Sequence, residues 1–264
     1  MMTKRSPDLM VTVLGSGTCV PSLDRSASAL LIETGGTRIL IDCGPGTQHR
    51  LLQAGRSHFD LTHIFLTHLH PDHSGELATL LFATKYPDVT RRRTPLTVAG
   101  AAGLKPFYRK LSDAYGDWIS LPPERLSLVE LSADGNADLV LAPGVTIRSA
   151  PVVHTPMSLA YRVTGPNGAS VVCSGDTDVC DSLVDLARGA DLFICESALP
   201  EGMKVDGHLT PALAGEMAAR AGVGRLMLTH FYPECDGEDL VGQCRRAYDG
   251  EVILAADLLR LELP

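Results

Sequence analysis

One run of seven residues constrains this chain more than anything else in it: Thr67-His68-Leu69-His70-Pro71-Asp72-His73. Four side chains of the kind that hold metal ions fall within six positions, directly after the apolar run Ile64-Phe65-Leu66. Pro71 keeps a helix from passing through the motif, because its ring fixes φ and removes a backbone donor. On extended backbone His68 and His70 share a face, since side chains repeat every second residue. A turn after Pro71 then carries Asp72 and His73 to a second position. One loop thus offers two ligands to each of two metal ions. Neutral imidazole with carboxylate suits zinc, and also manganese or iron. Polar side chains at the end of a buried strand otherwise carry only a desolvation cost.

Two metals need further ligands, and the chain holds nine histidines. His154 follows the strand-like Ala150-Pro151-Val152-Val153, Asp176 lies in Ser174-Gly175-Asp176-Thr177, and His230 lies in Leu228-Thr229-His230-Phe231. Each sits where an apolar strand ends, as His68 does. Ligands at equivalent strand ends can converge on one edge of a sheet, and a carboxylate such as Asp176 can bridge two cations.

Short β-branched runs alternate with helical patterns. Strands are expected at 11–14, 64–67, 96–98, 126–131, 145–150, 159–163, 170–174, 192–195 and 225–228. A hairpin joins 29–32 to 38–42 across Gly35-Gly36, and a terminal hairpin falls within 252–262. Helices are expected at 47–54, capped by Thr47 and closed by Gly55, and at 76–83, 211–221 and 239–247. This is an α/β pattern, read as a single domain over residues 1–264. No apolar run approaches the roughly 18 residues of a membrane span, and the run at 9–14 is too short for a secretory signal. Seven cysteines, an odd number without a CxxC pair, read as reduced thiols of a cytoplasmic protein. The formal net charge is -8, yet residues 85–110 carry seven basic side chains and one acid. That stretch is an anion-attracting candidate, with Arg91, Arg92 and Arg93 aiding capture. His58 and His63 read as surface or packing residues, and His49 as a helix residue near the site. Gly15-Ser16-Gly17 reads as a tight turn after the first strand.

The motif His68-Leu69-His70-Pro71-Asp72-His73 resembles the HxHxDH signature of the metallo-β-lactamase superfamily. Within it, Leu14-Gly15-Ser16-Gly17-Thr18, Asp42-Cys43-Gly44-Pro45-Gly46-Thr47-Gln48-His49, Ser174-Gly175-Asp176-Thr177 and Leu228-Thr229-His230-Phe231 resemble the ribonuclease Z branch, over roughly residues 11–258. The resemblance implies a four-layer αβ/βα sandwich of two mixed sheets with the site on one edge. It implies one metal on His68, His70 and His154, a second on Asp72, His73 and His230, with Asp176 bridging, and a water or hydroxide between them as nucleophile. Two divalent ions against two carboxylates leave a net positive site that draws a phosphodiester. Asp72 can take the proton of that water. His208, in Gly207-His208-Leu209-Thr210-Pro211, matches a histidine that protonates the departing oxygen, and Glu196 matches its acidic partner. From the residues alone, Thr210 and Pro211 read as N-cap and first residue of a helix.

The chain departs from that branch in one respect. Ribonuclease Z enzymes carry a long arm that grips transfer RNA between the positions of His154 and Asp176; here Gly165-Pro166-Asn167-Gly168 joins two strands directly. Transfer RNA is therefore a doubtful substrate, and the leading expectation is a dinuclear phosphodiesterase acting on small, short or cyclic substrates. Hydrolysis of a carboxylic ester, thiolester, lactone or β-lactam is the alternative, and a metal-binding sensor with a residual site a third reading. The sequence leaves a homodimer open.

Overall fold

The computed structural model describes residues 7–85 and 92–264. In chain order the strands of its first half are β1 (Leu9–Gly15), β2 (Ala29–Thr34), β3 (Thr37–Ile41), β4 (His63–Phe65), β5 (Leu96–Ala101) and β6 (Leu126–Leu131). The second half supplies β7 (Ala137–Ala142), β8 (Val145–Pro151), β9 (Leu159–Thr164), β10 (Ser170–Cys173), β11 (Leu192–Glu196), β12 (Arg225–Thr229), β13 (Glu251–Leu254) and β14 (Arg260–Leu263). Seven α-helices lie among them in the described residues: α1 (Thr47–Gln53), α2 (Pro71–Ser74), α3 (Leu77–Ala83), α4 (Leu104–Tyr115), α5 (Asp181–Ala187), α6 (Pro211–Ala221) and α7 (Leu240–Cys244).

Two seven-stranded mixed sheets result, ordered β14-β1-β2-β3-β4-β5-β6 and β13-β12-β11-β10-β9-β8-β7. Each half begins as an antiparallel meander and continues in parallel strands. The period-2 alternation of the strands explains the layering. In the first sheet Val11, Val13, Leu30, Ile32, Ile39, Ile41 and Phe65 point to the shared core with the second sheet. Their neighbours Leu14, Leu31, Leu40, Ile64 and Val98 point the other way, into a separate core with Leu77, Leu80, Leu81 and Leu104 of α3 and α4. Both faces of the sheet are thus buried, which gives helix, sheet, sheet, helix: the four-layer sandwich expected from the sequence.

Three expectations need correction. Residues 251–263 form no hairpin: β13 pairs in parallel with β12, whereas β14 crosses to the other sheet and pairs antiparallel with β1, Leu9 opposite Leu263. The helix at 47 is not capped by Thr47. Gly46 is its N-cap, with φ 100°, and the Thr47 hydroxyl donates to the Gly44 carbonyl at 2.7 Å. The basic stretch is not a continuous capture surface. Arg91 lies outside the described residues, and Arg92 is buried with its guanidinium spent on the carbonyls of Thr94, His58, Leu61 and Pro95. Arg93, Lys105, Arg109 and Lys110 are exposed.

The two sheets are stitched where the metal-type motif begins. The buried Tyr161 hydroxyl donates to the Leu66 carbonyl at 2.8 Å, and Leu159 N–H donates to the Thr67 carbonyl at 2.9 Å. At the far end the 165–168 turn is pinned to the first sheet, since the Asp8 carboxylate accepts from Asn167 N–H and Ala169 N–H. Replacing Tyr161 with Phe leaves a buried carbonyl without its donor, a loss of about 1–3 kcal/mol. Urea unfolding should show the corresponding fall in midpoint at unchanged slope; an unchanged midpoint would mean that the cross-sheet bond carries no net stability.

Candidate metal centre

The motif leaves the sheet just after β4. His68 is buried, and its Nε2 lies 3.0 Å from His70 Nδ1. Pro71 then opens α2 as its first residue, where a missing N–H costs nothing. Asp72 and His73 are therefore presented by one helical turn rather than by the simple turn expected. His154 arrives from the loop after β8, with Nε2 3.2 Å from His70 Nδ1. Asp176 follows β10, and His230 follows β12. His68, His70, His154 and Asp176 bring one ligand atom each within 4.8 Å of one another, and so do Asp72, His73, Asp176 and His230. All seven candidate ligands are thus brought together, as two groups that share Asp176.

Local backbone is forced to achieve this. Asp42 and His230 both have φ of 61°, a left-handed conformation costly for residues with a Cβ. Gly44 permits the close approach of the 42–47 loop to the motif: a Cβ there would lie 2.1 Å from the Asp72 carbonyl oxygen.

Asp42 is the residue whose role the sequence did not disclose. It is buried at the end of β3. Oδ1 accepts from Thr67 N–H at 2.7 Å, and Oδ2 accepts from the Thr67 hydroxyl at 2.8 Å and pairs with His73 Nδ1 at 2.7 Å. A carboxylate on one ring nitrogen fixes the tautomer and leaves Nε2 facing the site. His154 has an equivalent support in the Gly207 carbonyl, 2.9 Å from its Nδ1. Asp178 in turn holds the Gly207 loop, accepting from Gly207 N–H at 3.1 Å and from Lys204 Nζ at 2.7 Å.

The donor set fits divalent cations. Asp176 Oδ1 is buried without a hydrogen bond, 3.2 Å from His73 Nε2 and 3.3 Å from His230 Nε2. His73 Nε2 and His230 Nε2 face each other at 3.3 Å, so both nitrogens are aimed at the same point beside Asp176 Oδ1. Burial and the neighbouring His73 hold His68 down at about 2, in the neutral form a metal requires. Burial alone would raise Asp72 and Asp176, but His230 and His73 outweigh it and hold both carboxyls below their usual range, Asp72 at about 2. His73 moves the other way: burial opposes its charge, yet Asp176 and Asp42 raise its pKa well above the ordinary value.

His208 stands beside the cluster, its ring 4.9 Å from that of His154 and stacked 5.7 Å from that of His230. Its Nδ1 lies 2.9 Å from Glu196 Oε1. Glu196 is itself buried at the end of β11 and accepts from the N–H groups of Thr177, Ala198 and Leu209. Those donors favour its ionised form, while burial raises its pKa. Burial lowers His208, but Glu196 overcomes this and raises it. His49 is exposed on α1 and belongs to neither ligand group.

Residues 37–231 match the β-lactamase superfamily domain. The chain belongs to the metallo-β-lactamase superfamily. Its ribonuclease Z-like character shows in 31% identity over 279 residues to a ribonuclease Z of Mycobacterium bovis (strain BCG / Pasteur 1173P2), covering 97% of this chain and 98% of that one. An uncharacterized protein of Mycobacterium tuberculosis (strain ATCC 25618 / H37Rv) is 34% identical over 250 residues, 92% of this chain and 88% of its own. The crystal structure of the human short-form tRNase Z superposes with a TM-score of 0.79 at 27% identity, covering 97% of this chain and 99% of that chain. This superfamily member is a metal-dependent hydrolase. Among its described residues no helix is long and apolar enough to cross a membrane.

If Asp42 orients His73 for metal, Asp42→Ala should weaken metal binding by about 10–100-fold. Chelator competition on the purified variant, with far-ultraviolet circular dichroism to establish folding, measures this. Unaltered competition in a folded variant would show that Asp42 acts only on the Thr67 backbone.

Proposed function

We propose that this hydrolase is a dinuclear phosphodiesterase for small, short or cyclic phosphodiesters. The observation that carries the reading is the pair of four-donor groups sharing Asp176, with the His208–Glu196 pair set against them. His68, His70 and His154 would hold one ion, Asp72, His73 and His230 the other, and Asp176 both; imidazole and carboxylate donors of this mix favour zinc, with manganese or iron as alternatives. Bound there, two divalent ions would supply Lewis acidity, charge neutralisation for a phosphoryl group and an activated water.

The chain's own residues supply the rest. Asp72 offers a carboxylate oxygen to the proton that the water gives up. Glu196 accepts from His208 Nδ1–H and favours the imidazolium form of the ring, whose opposite nitrogen then carries a proton that it can give to the departing oxygen. Glu196 is a positioning residue: it fixes the ring and favours its charged form. The turn at 165–168, held down by Asp8, presents nothing that would reach along a folded RNA, and the net charge of -8 disfavours a long polyanion, whose binding draws on many basic contacts. Seven free cysteines accord with a reducing, cytoplasmic setting.

A substrate panel on the metal-reconstituted enzyme tests the reading. Bis-p-nitrophenyl phosphate and cyclic nucleotides should be hydrolysed, and lactones and nitrocefin should not; the reverse pattern would establish the carbonyl alternative. Elemental analysis after reloading should approach two ions per chain, and His230→Ala should lose the second position preferentially. A ratio that stays near one with metal in excess would sink the dinuclear site.

His208→Ala should slow an unactivated alkyl diester by about 10²–10⁴-fold and a nitrophenyl diester far less, because a good leaving group needs no proton. Equal slowing of both would remove His208 as proton donor.

A further inference from the structure

Three consecutive residues after β10 reach three parts of the site. Asp176 belongs to both donor groups. Thr177 N–H donates at 2.8 Å to Glu196 Oε1, the oxygen that also faces His208 Nδ1. Asp178 belongs to neither donor group, yet its bonds lead to two of the site's histidines. Its backbone runs beside the chain that delivers His154. Asp178 N–H donates to the Val153 carbonyl at 2.6 Å, and Val153 N–H donates to the Thr177 hydroxyl at 3.2 Å. Its Oδ2 accepts from Gly207 N–H at 3.1 Å and from Lys204 Nζ at 2.7 Å. Lys204 Nζ also donates to the Val205 carbonyl at 2.8 Å, and His208 N–H donates to that same carbonyl at 3.3 Å. The turn 204–208 is thus gathered onto one carboxylate.

Gly207 is the joint of that turn. Its N–H is held by Asp178, and its carbonyl faces His154 Nδ1 at 2.9 Å. The carbonyl shares one planar peptide unit with the N–H of His208. A rotation of that unit therefore moves the support of His154 and the root of His208 together. Gly207 has φ of 80°, and a Cβ on it would lie 3.1 Å from His154 Nδ1, so the backbone is seated directly against the ring. The approach to the joint is open: residues 201–206 are exposed. Their far end is tied to α7 and the residues after it, where Glu201 N–H donates to Gln243 Oε1 at 2.8 Å and the Glu201 carboxylate pairs with Arg246. At the site end the turn is held by Asp178. A partly exposed ion pair such as Asp178–Lys204 adds little to stability by itself; its place in the molecule is explained by what it aims.

We propose that Asp178 is a positioning residue that couples the metal cluster to the proton donor. By fixing Gly207 it orients His154 toward the ion shared with His68 and His70, and it sets His208 against the departing oxygen. The proton-donor half rests on the phosphodiesterase reading; the metal half does not.

Two measurements on Asp178→Ala test the halves separately, with circular dichroism to establish folding. Chelator competition, which is independent of the reaction, should show metal held about tenfold less tightly. With metal in excess, hydrolysis of a cyclic nucleotide, whose leaving oxygen is an alkoxide, should slow about tenfold or more, and hydrolysis of bis-p-nitrophenyl phosphate about threefold or less. Adding Asp178→Ala to His208→Ala should slow the cyclic nucleotide no further, because the two residues act through one proton transfer. Unchanged metal affinity in a folded Asp178→Ala protein would overturn the proposal. So would equal slowing of the two substrates, or further slowing in the double variant, where His208→Ala alone is selective for the cyclic nucleotide. If His208→Ala slows both substrates alike, the proton-donor reading has failed, and chelator competition alone decides whether Asp178 positions His154. Should Asp178→Ala not fold, Lys204→Ala, which frees one of the two donors from an exposed position, is held to the same pattern at about threefold.

Discussion

The buried carboxylate of Asp42 is the point on which the site turns. It ends β3 in a left-handed conformation, grips the backbone and hydroxyl of Thr67 at the exit of the next strand, and pairs with His73 on the turn beyond. Three consecutive pieces of chain therefore share one anion. A charge in this position is tolerable only because each of its contacts is a donor, and removing it would leave Thr67 N–H and His73 Nδ1 without partners in the core. The same interaction that organises the motif also sets which imidazole nitrogen faces the cluster, so folding energy and metal-site geometry come from one contact.

Around that point the fold uses strand ends as its main placing device. His68, Asp176, Glu196 and His230 stand at or just beyond the C-terminal ends of β4, β10, β11 and β12. Parallel neighbours in the second sheet bring three of them side by side, and the stitches from Leu159 and Tyr161 carry the second sheet onto the first where the motif begins. His154 and His208 lie instead on loops, and each is steadied by a partner on another loop or strand: the Gly207 carbonyl for one, Glu196 for the other.

Much of this was legible in the sequence, for physical reasons that differ from residue to residue. The residues that cluster at the candidate site could be read because imidazoles and carboxylates after apolar runs have no competing use in a core. Most strands could be read from β-branched runs. What escaped was whatever depends on a partner distant in sequence. Asp42 reads as the last residue of a hairpin strand and the start of a Gly/Pro-rich segment, since nothing local says that His73 will meet it. The tail at 251–263 reads as two strands either way; only the sheets decide whether they pair with each other. Helix α4 hides Pro106 in its first turn, where no helical hydrogen bond is lost. Arg92 looked like one of a row of surface cations, and its burial among carbonyls is a tertiary fact.

The crossing of β14 has a consequence for how the chain is made. Strand β1 leaves the ribosome well before the partner on its outer edge, in which Leu263 lies opposite Leu9. The first sheet therefore keeps an open edge until β14 has emerged, even after its own helices have packed. Closing it joins residues more than two hundred positions apart, a step whose loop-closure entropy is met only once the second sheet is in place. The two pseudo-equivalent halves are for that reason not successive folding units: the second half completes the first.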